Sequence, residues 1–215
     1  MMYKGFEYPD GEKVTAEAIA VEWFRKEQHV FTLTGGKGTA IQAGANCGFF
    51  PTKLAKGYDN VLTFEPMAEL AAITRRNFDR HNVTNVKLYE MGLGSEAGTA
   101  SVTFEESGNC GATGLTEGEG EIELIAIDNF FLDDVSLIWL DIEGMEADAL
   151  RGAINTIERC RPVLVLENKG LIPGFDDLEF RPLGDQVFRQ WVESEFGYQR
   201  IQRIMRDDIF VPVSY

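Results

Sequence analysis

A short apolar strand that breaks on glycine and restarts as a helix places the tightest constraint on this chain: Ala40-Ile41-Gln42-Ala43-Gly44-Ala45-Asn46-Cys47-Gly48-Phe49-Phe50. Gly44 and Gly48 can take left-handed backbone angles and, lacking a Cβ, let a ligand approach the main chain. Asn46 between them tolerates strained turns and carries both a donor and an acceptor. The first amides of the helix after such a turn point outward without partners, which favours a carboxylate, a phosphate or a ribose. An isolated pair of glycines is as easily a plain strand-to-helix turn. The next apolar run favours the functional reading. Asn60-Val61-Leu62-Thr63-Phe64 ends on Glu65, 21 residues after Gly44, where dinucleotide folds set the acid that accepts ribose hydroxyls.

Strands and helices alternate along the rest of the chain. Val14 to Gln28 is helix-compatible, and Thr34-Gly35-Gly36-Lys37-Gly38 reads as a turn. A phosphate loop is disfavoured there because the Gly-Lys-Ser/Thr ending is missing and a strand follows. Pro66 suits the first turn of a helix running from Met67 to Arg80. Asn85 to Met91 is a third strand, with Gly92-Leu93-Gly94-Ser95 as the turn that leaves it. Thr99 to Phe104 and Glu121 to Ile127 alternate as half-exposed strands do. The glycine- and acid-rich stretch between them, Glu105 to Gly120, is expected to be a mobile loop, which fits a solvated connector at least as well as a lid over a site.

Val135 to Leu140 is dense enough to be buried on both faces, and it leads into Asp141-Ile142-Glu143-Gly144. A single helix is expected over Met145 to Arg159, and Pro162 to Leu166 is a strand that ends on Glu167. After a helix over Leu183 to Phe196, Tyr198 to Ile204 and Ile209 to Val213 form a hairpin around an Asp207-Asp208 turn. This order predicts an α/β fold, a parallel sheet with helices on both sides. The carboxyl tips of its strands would gather Gly44 to Gly48, Glu65, Asp141 with Glu143, and Glu167 into one crevice.

With 215 residues and 44% hydrophobic content, the chain can bury one full core. A net charge of -15 disfavours nucleic acid and anionic membrane as partners. No apolar run reaches the length of a membrane span. Three cysteines without metal spacing, and no basic-then-apolar leader, predict a reduced, cytoplasmic protein. His29 and His81 lie far apart, so no histidine-based metal site is expected.

Several ordered motifs together resemble the FkbM-type methyltransferases: Gly44-Ala45-Asn46-Cys47-Gly48, Phe64-Glu65-Pro66, Asp141-Ile142-Glu143-Gly144, Ala149-Leu150-Arg151-Gly152-Ala153, Arg161-Pro162 leading to Glu167, and Ile209-Phe210-Val211-Pro212. The resemblance implies a Rossmann-like class I methyltransferase fold over residues 39–215, with a seven-stranded, mostly parallel sheet whose last strand is antiparallel. Residues 1–38 would be an N-terminal extension containing a helix. The implied cofactor is S-adenosylmethionine. Carried over by position, its binding residues are Gln42, Gly44, Asn46, Gly48, Glu65, Pro66, Glu90, Met91 and Asp141. Gly44, Asn46 and Gly48 would line the methionine and ribose, Glu65 would hold the ribose hydroxyls, and the adenine would lie near Glu90 and Met91. Asp141 would face the amino end or the incoming substrate. Gln42 departs from the pattern: family members usually carry an acid there, and a neutral amide should hold an ammonium group less well.

The expected reaction is methyl transfer to a hydroxyl oxygen of a sugar or other small metabolite. Glu143 is the first candidate for the base, Asp141 the second, and Glu167 would orient the acceptor. No metal site is assigned, although Asp141 and Glu143 could alternatively hold a magnesium ion. Two other classes stand beside this reading. One is a binding module that kept the fold and lost catalysis; the other is an NAD-dependent oxidoreductase, whose closely paired first glycines are missing here.

Overall fold

The computed structural model describes residues 1–10, 12, 15–105, 113–168 and 184–213. A two-stranded hairpin, β1 (Met2–Tyr3) and β2 (Phe6–Glu7), is followed by α1 (Thr15–Thr34). The glycine-turn motif supplies β3 (Thr39–Ala43) and α2 (Phe49–Leu54); next come β4 (Asn60–Phe64), α3 (Ala68–Arg80) and β5 (Val86–Tyr89). An excursion holds β6 (Gly92–Leu93), β7 (Gly98–Glu105), β8 (Thr113–Glu117) and β9 (Ile122–Ile125). The chain returns through β10 (Val135–Leu140), α4 (Glu146–Arg151), α5 (Ile154–Cys160) and β11 (Val163–Glu167), and ends with α6 (Gly184–Phe196), β12 (Tyr198–Ile204) and β13 (Asp207–Pro212).

The main sheet has seven strands in the order β12-β13-β11-β10-β3-β4-β5. β3, β4, β5, β10 and β11 pair in parallel. β13 is antiparallel to both β11 and β12. Two reversals return β12 to the common direction, so the last strand alone runs backwards, as the resemblance implied.

Every residue of β3 and β11 is buried, and their alternate side chains feed two separate cores. Ile41, Leu62, Ile138, Leu164 and Phe210 pack with Leu150, Ile157, Phe188 and Val192 of α4 to α6. Ala40, Val61, Leu137, Trp139 and Val165 pack on the other face with Trp23, Phe50, Leu54 and Ile73 of α1 to α3.

Six sequence expectations are corrected. Gly92-Leu93 is not a turn but a strand paired with β9, part of a second sheet in the order β6-β9-β7-β8. Thr113–Glu117, inside the stretch expected to be mobile, is its fourth strand, held by antiparallel pairing with β7 and by the packing of Leu115; residues 106–112 lie outside the described residues. The helix expected over Met145 to Arg159 is two helices. A Cβ on Gly152 would lie 2.2 Å from the Gly94 carbonyl oxygen, and the Asp128 carboxylate accepts the amides of Asn155 and Thr156 to start the second helix. α1 runs on past Gln28 to Thr34 because Val30 has a core to enter, and Pro66 precedes α3 rather than opening it. Asp207 and Asp208 are buried in β13, and the hairpin turns instead at Met205, whose φ is 58°, and Arg206.

Candidate active site

The strand order reverses between β3 and β10, the topological switch point at which open α/β sheets bind ligands. After β3 the backbone takes φ 82° at Gly44, 51° at Asn46 and 80° at Gly48. Gly44 and Ala45 both donate to the Phe64 carbonyl. A Cβ on Gly44 would lie 2.0 Å from the Asp141 carbonyl oxygen, so only glycine lets the two strand tips meet. From α3, buried Thr74 donates to the Asn46 carbonyl (2.6 Å) and buried Asn77 to that of Cys47 (2.8 Å), which fixes the turn from behind.

Glu65 sits beside it, 4% exposed, its carboxylate accepting the amides of Asn46 (2.7 Å) and Met67 (3.0 Å). Burial pushes this carboxyl up to about 7, against the opposing pull of the two amides. Each oxygen takes one amide and keeps acceptor capacity for a hydroxyl. Pro66 is half-buried next to it. On the adjacent strand the Tyr89 carbonyl accepts the Glu65 amide, which brings exposed Glu90 and half-buried Met91 alongside. Glu90 is ion-paired with Arg75, and the Tyr89 ring stacks on Phe64.

Gln42 is buried below the turn. Its amide nitrogen donates to the carbonyls of Ala43 and Gly44 (3.0 Å each), and its amide oxygen accepts from Thr63 (2.5 Å). A neutral amide is therefore what this position requires, since a carboxylate would face two carbonyl oxygens. Gln42→Glu should destabilise the protein by about 1–3 kcal/mol, lowering Tm by roughly 2–12 °C in a thermal melt.

Past β10 the chain presents its acids. Glu143 holds φ 56° and Gly144 φ 111°, a strain for a non-glycine residue that marks functional loops. Carboxylate oxygens of Asp141, Glu143 and Glu167 lie within 4.8 Å of one another. Three acids so close favour a cation, whether a sulfonium or a divalent ion on hard oxygen ligands. Sequence reasoning missed what holds this loop. Buried Glu146, the first residue of α4, accepts the amides of Ile142 (2.9 Å) and Gly144 (3.1 Å). An acid in the first turn of a helix was the available signal, but it reads equally well as a dipole partner. On the outer side, Met145 and half-buried Ile142 pack against Ala100 and Leu124 of the second sheet, so that sheet buttresses the acidic loop.

The methyltransferase FkbM domain matches residues 42–200. The chain belongs to this family. A relative named Methyltransferase 1, from Beauveria bassiana (strain ARSEF 2860), is 26% identical over 141 residues, 52% of this chain and 57% of the relative. The chain thus spans little more than half of that protein's length. The crystal structure of a methyltransferase FkbM from Methylobacillus flagellatus KT superposes with a TM-score of 0.59 at 19% identity, covering 82% of this chain and 44% of that one. An O-methyltransferase from Bacillus cereus, solved in complex with SAH, gives 0.50 at 16% identity over 94% and 82% of the two chains. An rRNA methylase from Streptococcus thermophilus gives 0.52 at 11% identity over 88% and 95%. Likeness at these identities is a likeness of fold.

Membership in the FkbM family implies S-adenosylmethionine as cofactor. The residues present fit it: a pinched glycine turn, a buried carboxylate with acceptor capacity left for a cis-diol, and an acidic edge for a cation. To accept both ribose hydroxyls of that cofactor, Glu65 would have to be ionised. Affinity for S-adenosylhomocysteine should therefore rise about tenfold from pH 6 to pH 8, and Glu65→Gln should flatten that slope in calorimetric titrations. The same raised carboxyl contributes to folding stability in the opposite sense. That contribution is present below its ordinary value of 4.5 and is lost as pH climbs through about 7.

Among the described residues, no helix is long and apolar enough to cross a membrane.

Proposed function

We propose that this chain is an S-adenosylmethionine-dependent methyltransferase that methylates a hydroxyl oxygen of a sugar or other small metabolite. On this reading residues 39–215 are the methyltransferase domain and residues 1–38 an extension to it. The observation that carries the reading is the meeting of Asp141, Glu143 and Glu167 within 4.8 Å of one another at the carboxyl ends of β10 and β11, where Asp141 abuts Gly44 of the glycine turn.

When bound, the donor supplies a methyl group made electrophilic by a sulfonium charge. The protein has then to align the acceptor and remove one proton. Glu143, lifted on its strained tip, takes the hydroxyl proton. Asp141, whose backbone abuts Gly44, stabilises positive charge between the two strand tips. Glu167 orients the acceptor from the end of β11. Glu146 keeps the Asp141 to Gly144 loop in the geometry these roles need.

Calorimetry with S-adenosylmethionine and with NAD, followed by an assay of demethylated donor over a panel of hydroxyl acceptors, tests the reading. Binding of the first ligand with turnover supports it. Binding without turnover on any acceptor would leave a binding module, and NAD binding an oxidoreductase.

A further inference from the structure

The acidic edge is bordered by a cationic hairpin. In a chain of net charge -15, β12 and its turn carry Arg200, Arg203 and Arg206. Two of these are committed to the fold. The wholly buried Asp208 carboxylate takes Arg200 at 3.1 Å and Arg203 at 3.9 Å, and also accepts the Asn168 amide (2.6 Å). Arg206 differs from them. Its backbone is fixed, since its carbonyl accepts the Asn168 amide hydrogen (2.9 Å). Its side chain is 72% exposed and meets Glu167 at 3.8 Å. Glu167 itself is buried, but at 3.8 Å the pair is beyond hydrogen-bond reach, so most of the five guanidinium N–H donors, which lie in solvent, are left for a ligand. Its fork matches the geometry of a carboxylate or a phosphate. Through Glu167 it stands at the rim of the cluster formed with Asp141 and Glu143.

We propose that Arg206 is a specificity-determining residue, and that the methyl acceptor carries an anionic group, a carboxylate or a phosphate, beside the hydroxyl that is methylated. The inference rests on the acidic edge being the acceptor site. It adds a charge requirement that the acids alone would oppose: without Arg206, an anionic acceptor approaching three carboxylates is repelled.

Matched polyols test this directly. The full chain is titrated with sorbitol, gluconate and sorbitol 6-phosphate, with and without S-adenosylhomocysteine. Gluconate or sorbitol 6-phosphate should bind at least about tenfold more tightly than sorbitol, and the tighter of the two identifies the anion. Arg206→Ala should remove that preference and Arg206→Lys restore part of it, while Arg80→Ala, a control at the C-terminal end of α3, leaves it unchanged. In turnover the loss should fall on KM, with kcat within about twofold. Equal binding of all three polyols overturns the proposal. So does an anion preference that survives Arg206→Ala, or an Arg206-dependent affinity for single-stranded RNA without one for the small anions. Failure of S-adenosylhomocysteine to bind would count against methyl transfer itself, and the Arg206 comparison in unsupplemented protein is read independently of it.

Discussion

Glu143→Gln should lower the methyl-transfer rate constant roughly 10²–10⁴-fold, the range for losing a positioned base, while leaving affinity for S-adenosylhomocysteine within about threefold. The substitution keeps the size and length of the side chain, and it leaves intact two bonds that shape the loop. Those bonds run from the Ile142 and Gly144 amides to Glu146 and do not involve the Glu143 carboxylate. An amide at position 143 can accept a hydrogen bond from a hydroxyl but cannot take its proton. The expected signature is therefore a fall in kcat at saturating acceptor, with an unchanged thermal melt and unchanged donor binding. Asp141→Asn should act differently, weakening retention of the cationic donor, because its backbone touches Gly44 at the switch point. If both variants turned over like the parent in a donor-consumption assay, neither carboxylate would be the base.

The parts of this site that were legible in the sequence share one physical property: their information is local. A strand buried on both faces is nearly continuously apolar, so β3, β10 and β11 were visible as runs, and the acids at the ends of the last two, Asp141 and Glu167, stood out. Gly44 and Gly48 were visible because a sharp turn between strand and helix needs residues free of a Cβ. What was hidden depends on partners distant in the chain. Gln42 looked like a defect in cofactor binding until the register of β3 and β4 placed Thr63 against it. The second sheet was obscured because β6 is only two residues long and pairs with β9 across the intervening hairpin. Asp207-Asp208 looked like a turn, since adjacent acids favour turns. Both are strand residues instead, made tolerable in the interior by cations contributed from elsewhere.

The first of those buried pairs carries the other large effect. Lys26 in α1 is 0% exposed, its ammonium ion-paired with Asp207 and 5.4 Å from the centre of the Trp139 ring. Asp207 is paired in register with Glu167, so this contact ties α1 to the strand beside the acidic edge. Lys26→Met should destabilise the protein by about 3–5 kcal/mol, because it leaves the Asp207 carboxylate buried without its ammonium; the melt should fall by roughly 6–20 °C. Asp207→Asn should cost comparably for the converse reason. The double variant, Lys26→Met with Asp207→Leu, removes both charges and should recover most of the loss, since apolar groups of similar size often replace a buried pair without penalty. A double-mutant cycle by chemical denaturation measures the coupling. If Lys26→Met unfolded within about 1 kcal/mol of the parent, the pair would not be what holds α1 in place. If the single variants instead proved stable yet slow, the ammonium would be acting through Glu167 on the acceptor rather than on the fold.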